Sequence, residues 1–186
     1  MGLRYCAAAA AERMILARIT KYLQQFIMPS ANLDRTDVLL LAELQRNGRQ
    51  TNAELAERVH LSASACLRRV QRLEREGVIR GYRAETDAER LGLGLQAFVR
   101  VQLRHHDADS IAAFADFVNQ WDEVVACHAL TGDMDYLLQV AVRDLDHFSR
   151  FLLDQLLVSG VADVNSSFVL RTVKHTRVLP LDHLAR

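Results

Sequence analysis

The chain has 186 residues, half of them apolar, which is enough for one core or two small ones, and no segment is long and apolar enough to span a bilayer as a helix. Basic and acidic side chains balance at 23 each, which at first argues against a nucleic-acid binder. The distribution reverses that impression: residues 33–83 carry ten arginines against seven acids, whereas residues 84–186 carry nine basic groups against fifteen acids.

Residues 1–32 form a basic leader. Ile15, Leu16, Ile19, Tyr22, Leu23, Phe26 and Ile27 recur at helical spacing, and Arg13 and Arg18 interrupt any signal-peptide core. Two readings stand: upstream coding ahead of a start at Met28, or an extra helix packed on a dimer. Three cysteines, Cys6, Cys66 and Cys127, make neither a disulfide framework nor a zinc spacing, and Cys66 and Cys127 are read as small core residues in a reducing cytoplasm.

Residues 33–83 read as a three-helix reading head. Asp34 caps a first helix whose Val38, Leu41 and Leu44 form a stripe, with Leu40 beside it; Asn47-Gly48 ends it. Thr51 and Glu54 stand at capping-box spacing ahead of a short second helix with Leu55, Ala56 and Val59 inward. His60-Leu61 breaks that pattern, Ser62 caps a third helix, and Gly77 stops it. On a wheel, Cys66, Val70 and Leu73 share one side, while Arg68, Arg69, Arg72 and Arg75 centre on the other. A short helix, a tight turn and a basic-faced second helix is the helix-turn-helix pattern, whose second helix enters a DNA major groove. Residues 78–83 are expected to be a strand, a wing carrying Arg80 and Arg83 toward phosphates. Residues 84–94 read as a hinge.

From Leu95 the period becomes two. Leu95, Ala97, Val99, Val101 and Leu103 alternate with Gln96, Arg100, Gln102 and Arg104, predicting a half-buried strand. A helix over 110–120, strands over 124–130 and 134–142, a helix over 145–157 and a strand over 161–173 follow. The order β-α-β-β-α-β predicts a ferredoxin-like sandwich over residues 95–179, with both helices on one face and a tail at 180–186. The fold class is therefore α+β, a winged helix-turn-helix followed by this sandwich. Its other sheet face needs cover, which points to sheet-to-sheet dimerisation.

Three segments, LDRTDVLLLAELQRNGR, SASACLRRVQRLEREGVIRGY and ACHALTGDMDYLLQV, in this order and spacing resemble the Lrp/AsnC (feast/famine) family of transcription regulators over about residues 33–181. The resemblance implies double-stranded DNA as partner, a homodimer assembled further into tetramers or octamers, no cofactor, an amino-acid effector, and a cytoplasmic, nucleoid-associated protein. It stops short of the leader, and Met28 lies near where such regulators usually start.

The expected DNA-contacting residues are Ser62, Ala63, Ser64, Arg68, Arg69, Arg72, Arg75 and Arg80. The first positions of the recognition helix approach the groove floor. Arg69 and Arg72 have the fork geometry for guanine, while for Arg72 and Arg75 a phosphate contact is the favoured role. On spacing alone, Thr131, Gly132, Asp133, Met134, Asp135 and Tyr136 are a hairpin turn with two solvated acids. The resemblance instead makes them the lining of an amino-acid pocket between neighbouring dimers. It adds Leu145, Ser167, Phe168 and Val169; at Ser167-Phe168 the chain departs from some relatives, leaving the pocket shape open. The run His105-His106-Asp107 lacks ligand spacing, so no metal site is expected. No nucleophile or phosphate loop accompanies Asp133 and Asp135, so no catalytic residue is expected either. The alternative is a sirohaem-type haem-biosynthesis decarboxylase on the same two domains, against which the acidic sandwich argues because its substrate carries many carboxylates.

Overall fold

A computed structural model describes residues 32–184. The leader, with Cys6 and the expectations placed on it, lies outside the described residues. The chain divides into two compact units: within the described residues, 32–84 together with 175–184, and 85–174.

The first unit is trihelical. Helix α1 spans Arg35–Arg46, α2 Asn52–Arg58 and α3 Ala63–Arg75. Local chemistry starts each one. Asp34 and Asp37 form a reciprocal capping box on α1, and Thr51 and Glu54 form another on α2. The Ser62 hydroxyl accepts from the Ala65 amide at the start of α3. Between α2 and α3 the chain turns through His60, at φ 55, while the Leu61 amide bonds back to Ala56. Helix α3 ends in a Schellman motif: the Val78 amide reaches the Leu73 carbonyl and the Gly77 amide reaches Glu74, with Gly77 at φ 71. Leu40, Leu55, Ala56, Val59 and Cys66 form the core, with Leu44, Leu61 and Val70 against it. The wheel placed the Cys66, Val70 and Leu73 face correctly, and the neighbouring Leu67 is exposed.

Residues 78–83 are not a strand. Val78 and Ile79 both direct their amides to the Leu73 carbonyl, and a strand needs a partner ladder that this segment does not meet in the described chain. The segment is instead held by Tyr82, whose hydroxyl donates to Glu74 at 3.0 Å. Partial burial, helped by that carboxylate, pushes the Tyr82 hydroxyl up to about 12. The C-terminal residues return to this unit. The Gln45 side chain exchanges two hydrogen bonds with the Leu179 backbone, at 2.6 and 3.3 Å.

The second unit is a four-stranded antiparallel sheet, order β2-β3-β1-β4, from β1 (Leu95–Leu103), β2 (Val124–Ala129), β3 (Tyr136–Val142) and β4 (Val161–Phe168). Helix α4 (Ala108–Val118) and helix α5 (Leu145–Arg150) supply the second layer. Alternate residues of β1, Ala97, Val99, Val101 and Leu103, meet Leu138, Val140 and Val142 of β3 beneath Phe114, Phe148, Phe151 and Leu156. The predicted element order and ferredoxin-like class hold, and β4 ends earlier than expected.

The expected helix over 145–157 does not stay α-helical: Phe151–Leu156 is a π-helical stretch. Phe151 and Leu156 are both fully buried. At about 100° per residue they would stand about 140° apart. The i→i+5 register, seen in the Leu157 amide bonding Leu152, brings both onto the core. Cys127 is exposed rather than core: it pairs with Leu138 on the helix side, but β2 is the edge strand.

Candidate DNA-reading surface and effector turn

Helix α3 is the natural reading element because its first turn is exposed, with the Ser62 and Ser64 hydroxyls paired to each other at 3.3 Å. Ser62, Ala63, Ser64 and Arg68 are exposed. The turn is held rigidly from behind, where the Asn52 side-chain amide donates to the Ala63 carbonyl at 2.8 Å. On the wheel, Ser64, Arg68 and Arg75 align within about 40°. Arg68, Arg75 and Arg80 are exposed.

The arginine group predicted as one surface splits in two. Arg69 and Arg72 turn onto the start of α1. Arg69 donates to Asp34 at 2.6 Å and to Asp37 at 2.8 Å, and Arg72 donates to Asp37 at 2.5 Å. Asp37 is completely buried and also accepts from the Asp34 amide. The Asp37 amide, then Arg69, hold the Asp34 carboxyl below its ordinary value. Removing one partner of such a buried pair costs about 3–5 kcal/mol. The expectation that Arg69 and Arg72 present free forks to guanine is therefore corrected. Asp37 carries a structural role that the sequence reading missed, although its place in a D-x-x-D box, with two arginines three apart on α3, was a usable signal.

The effector set likewise separates. Thr131, Gly132 and Asp133 are exposed on the β2–β3 turn, with Gly132 at φ 123, a backbone region that excludes most side chains. Met134 is buried. Asp135 is already engaged: its carboxylate accepts the Leu103 amide at 2.7 Å and contacts His106 Nε2 at 2.9 Å, while its own amide donates to Val101. His106 belongs to the His105-His106-Asp107 run, in which Asp107 caps α4. The Tyr136 ring lies 4.8 Å from Phe114 and packs on the sandwich core, while the Phe168 ring lies 5.0 Å from Phe148 and stays exposed. The Val169 amide bonds Gln96.

Strand register puts these residues at opposite ends of the sheet. Asp135 meets β1 at Val101 and Leu103, whereas Ser167 and Phe168 pair with Phe98 and Ala97. Exposed Leu145 follows Val142, the partner of Leu95. At about 3.3 Å per residue the two groups are roughly 10–26 Å apart along β1. One subunit does not bring them into a single pocket. A cleft of about 410 Å³ does open beside the end of β1, lined by Leu103, Arg104, His105, Ser110, Ala113, Phe117 and residues 157–160, and none of the predicted effector residues lines it.

Comparison with known proteins bears on both units. Residues 33–80 match the winged helix-turn-helix DNA-binding family, and residues 96–179 match the Lrp/AsnC ligand binding domain. The chain is 43% identical over 143 residues to the leucine-responsive regulatory protein of Rhizobium meliloti, covering 76% of this chain and 92% of that one. It is 40% identical over 152 residues to the Bkd operon transcriptional regulator of Pseudomonas aeruginosa, covering 81% and 99%. In structure it is similar to a Neisseria meningitidis transcriptional regulator solved with L-Met, with a TM-score of 0.79, 52% identity, and 82% and 99% of the two chains covered. An AsnC family regulator from Agrobacterium tumefaciens superposes with a TM-score of 0.78 at 34% identity, covering 82% and 99%. With a helix-turn-helix whose reading turn is exposed, a βαββαβ sandwich behind it in the chain, and relatives matched over nearly their whole length, this chain belongs to the Lrp/AsnC family of DNA-binding transcriptional regulators.

Proposed function

We propose that this regulator reads a specific DNA sequence with the first turn of α3 and answers to a small apolar L-amino acid. The observation that carries the reading is the exposed run Ser62, Ala63, Ser64 and Arg68 on a helix start fixed from behind by Asn52. Ser62, Ala63, Ser64 and Arg68 meet base edges; Arg75 and Arg80 meet phosphates. Arg69 and Arg72 position the helix. The test is a gel-shift titration on DNA flanking its own gene, with random duplex as competitor at physiological salt. Preference for the flanking DNA is expected, and equal affinity for both overturns the reading.

For the effector, the turn over 131–136 of one subunit is completed by Leu145 and residues 167–169 of a neighbouring subunit. The separation of these groups along β1 supports a shared site, and a relative solved with L-Met supports an amino acid of that kind. Gly132 lets the backbone approach the ligand, and Asp133 offers a carboxylate to its ammonium group. A homodimer paired through the polar sheet face, built on into tetramers or octamers, supplies the second subunit. The protein works at the nucleoid in the cytoplasm. We assign it no catalytic activity and no cofactor. A thermal-shift screen of the twenty amino acids is expected to show stabilisation by methionine or leucine. No shift with any of them removes the effector assignment and leaves DNA reading untouched.

A further inference from the structure

We propose that Asp34 and Asp37 are specificity-determining positioning residues: they hold Arg69 and Arg72 on α1 and thereby withhold two of the four guanidinium groups of α3 from the DNA backbone. The inference rests on α3 being the helix that meets DNA. Two carboxylates face two guanidiniums through three charge-assisted hydrogen bonds of 2.5–2.8 Å, so the group is neutral as a whole. Asp37 is wholly buried and its three donors are the Asp34 amide, Arg69 and Arg72. An arginine that leaves for a phosphate strips a buried carboxylate of a donor, in exchange for an attraction that salt screens.

The consequence is a division of labour on one helix. Phosphate contacts strengthen binding to every sequence alike, and specificity is a ratio of affinities. Neutralising Arg69 and Arg72 lowers affinity for random DNA while leaving Ser64, Arg68 and Arg75 facing outward. The same bonds set the rotation of α3 about its own axis, because both arginines are tied to the start of α1.

The full-length protein is titrated onto random-sequence duplex over a salt series, and log K is plotted against log salt concentration. Arg75→Gln is expected to flatten the slope by about 0.9 per reading head, the loss of one phosphate contact. Asp34→Asn keeps a good helix cap and removes one carboxylate, so the group gains a net positive charge and Arg69, held then by Asp37, is bound less tightly, and the slope steepens. The charge-neutral pair Asp34→Asn/Arg69→Gln keeps the wild-type slope, as does Asp37→Asn/Arg72→Gln. The proposal is overturned if either neutral pair flattens the slope as Arg75→Gln does, which would show the arginine on DNA, or if Asp34→Asn leaves the slope unchanged. If Arg75→Gln itself has no effect, the DNA-facing reading of α3 fails, and the proposal with it. Asp34 is exposed, so its arm of the test survives even where changes at buried Asp37 unfold the head.

Discussion

Helix α3 and the 131–136 turn look alike on paper: each is a short stretch that carries several charges of one sign. In both, the structure takes part of the charge back. Arg69 and Arg72 are tied to α1, and Asp135 is tied to β1 and His106. What remains differs. On α3 the leftover residues, Ser64, Arg68 and Arg75, align on one exposed face of one subunit. Around the turn, the leftover Thr131 and Asp133 stand at one end of the sheet and their expected companions at the other. A groove-reading helix is a complete tool by itself, whereas an amino-acid site built at sheet ends needs a second chain.

The largest expected effect separates the tied arginines from the free ones. Asp37→Ala leaves two partly buried guanidiniums without their shared carboxylate, and the head should lose about 3 kcal/mol in urea unfolding. Arg68→Ala should leave unfolding unchanged and weaken binding to the operator by about 1–3 kcal/mol, with relaxed preference at one base position. The turn offers the same contrast at smaller scale. Asp135→Ala removes the acceptor of the Leu103 amide and should cost the sandwich about 1–3 kcal/mol. Asp133→Ala should stay within about 0.5 kcal/mol in unfolding, yet abolish the thermal shift by an amino acid. A loss of stability at Asp133, or none at Asp135, would break the comparison.

Two finer tests act on the geometry of the head. His60 holds a positive φ without being glycine, so His60→Gly should raise stability by about 0.5–1 kcal/mol in thermal unfolding. Acid is the last. The Asp34 carboxyl lies below its ordinary value, so its contribution is complete above that value and is lost as pH falls through the lowered one. The head should therefore begin to lose melting temperature below about pH 4, and Asp34→Asn should flatten that decline.

Much of this protein was legible in its residues. The caps at Asp34, Thr51 and Ser62, the stop at Gly77 and the alternation from Leu95 to Leu103 are local signals, and the structure uses each of them. The misses share one cause. Residues 78–83 look like a strand by composition, but a strand exists only where a second one supplies its hydrogen bonds. The break into π-helix at Phe151 follows from the need to bury Phe151 and Leu156 together, which no helical wheel contains. Cys127 sits in an apolar run, and its exposure depends on β2 being at the sheet edge.

Periodicity and capping chemistry, which act within a few residues, determined the elements, their order and the placement of a basic helix ahead of an acidic sandwich. The tertiary structure alone decided which charges stay free. Asp37 and Arg72 are 35 residues apart, and Asp135 and His106 are 29 apart. Coulomb attraction and burial act on distance in space, so only the packing of α1 on α3, and of β3 on β1, settles whether an arginine serves the fold or the DNA.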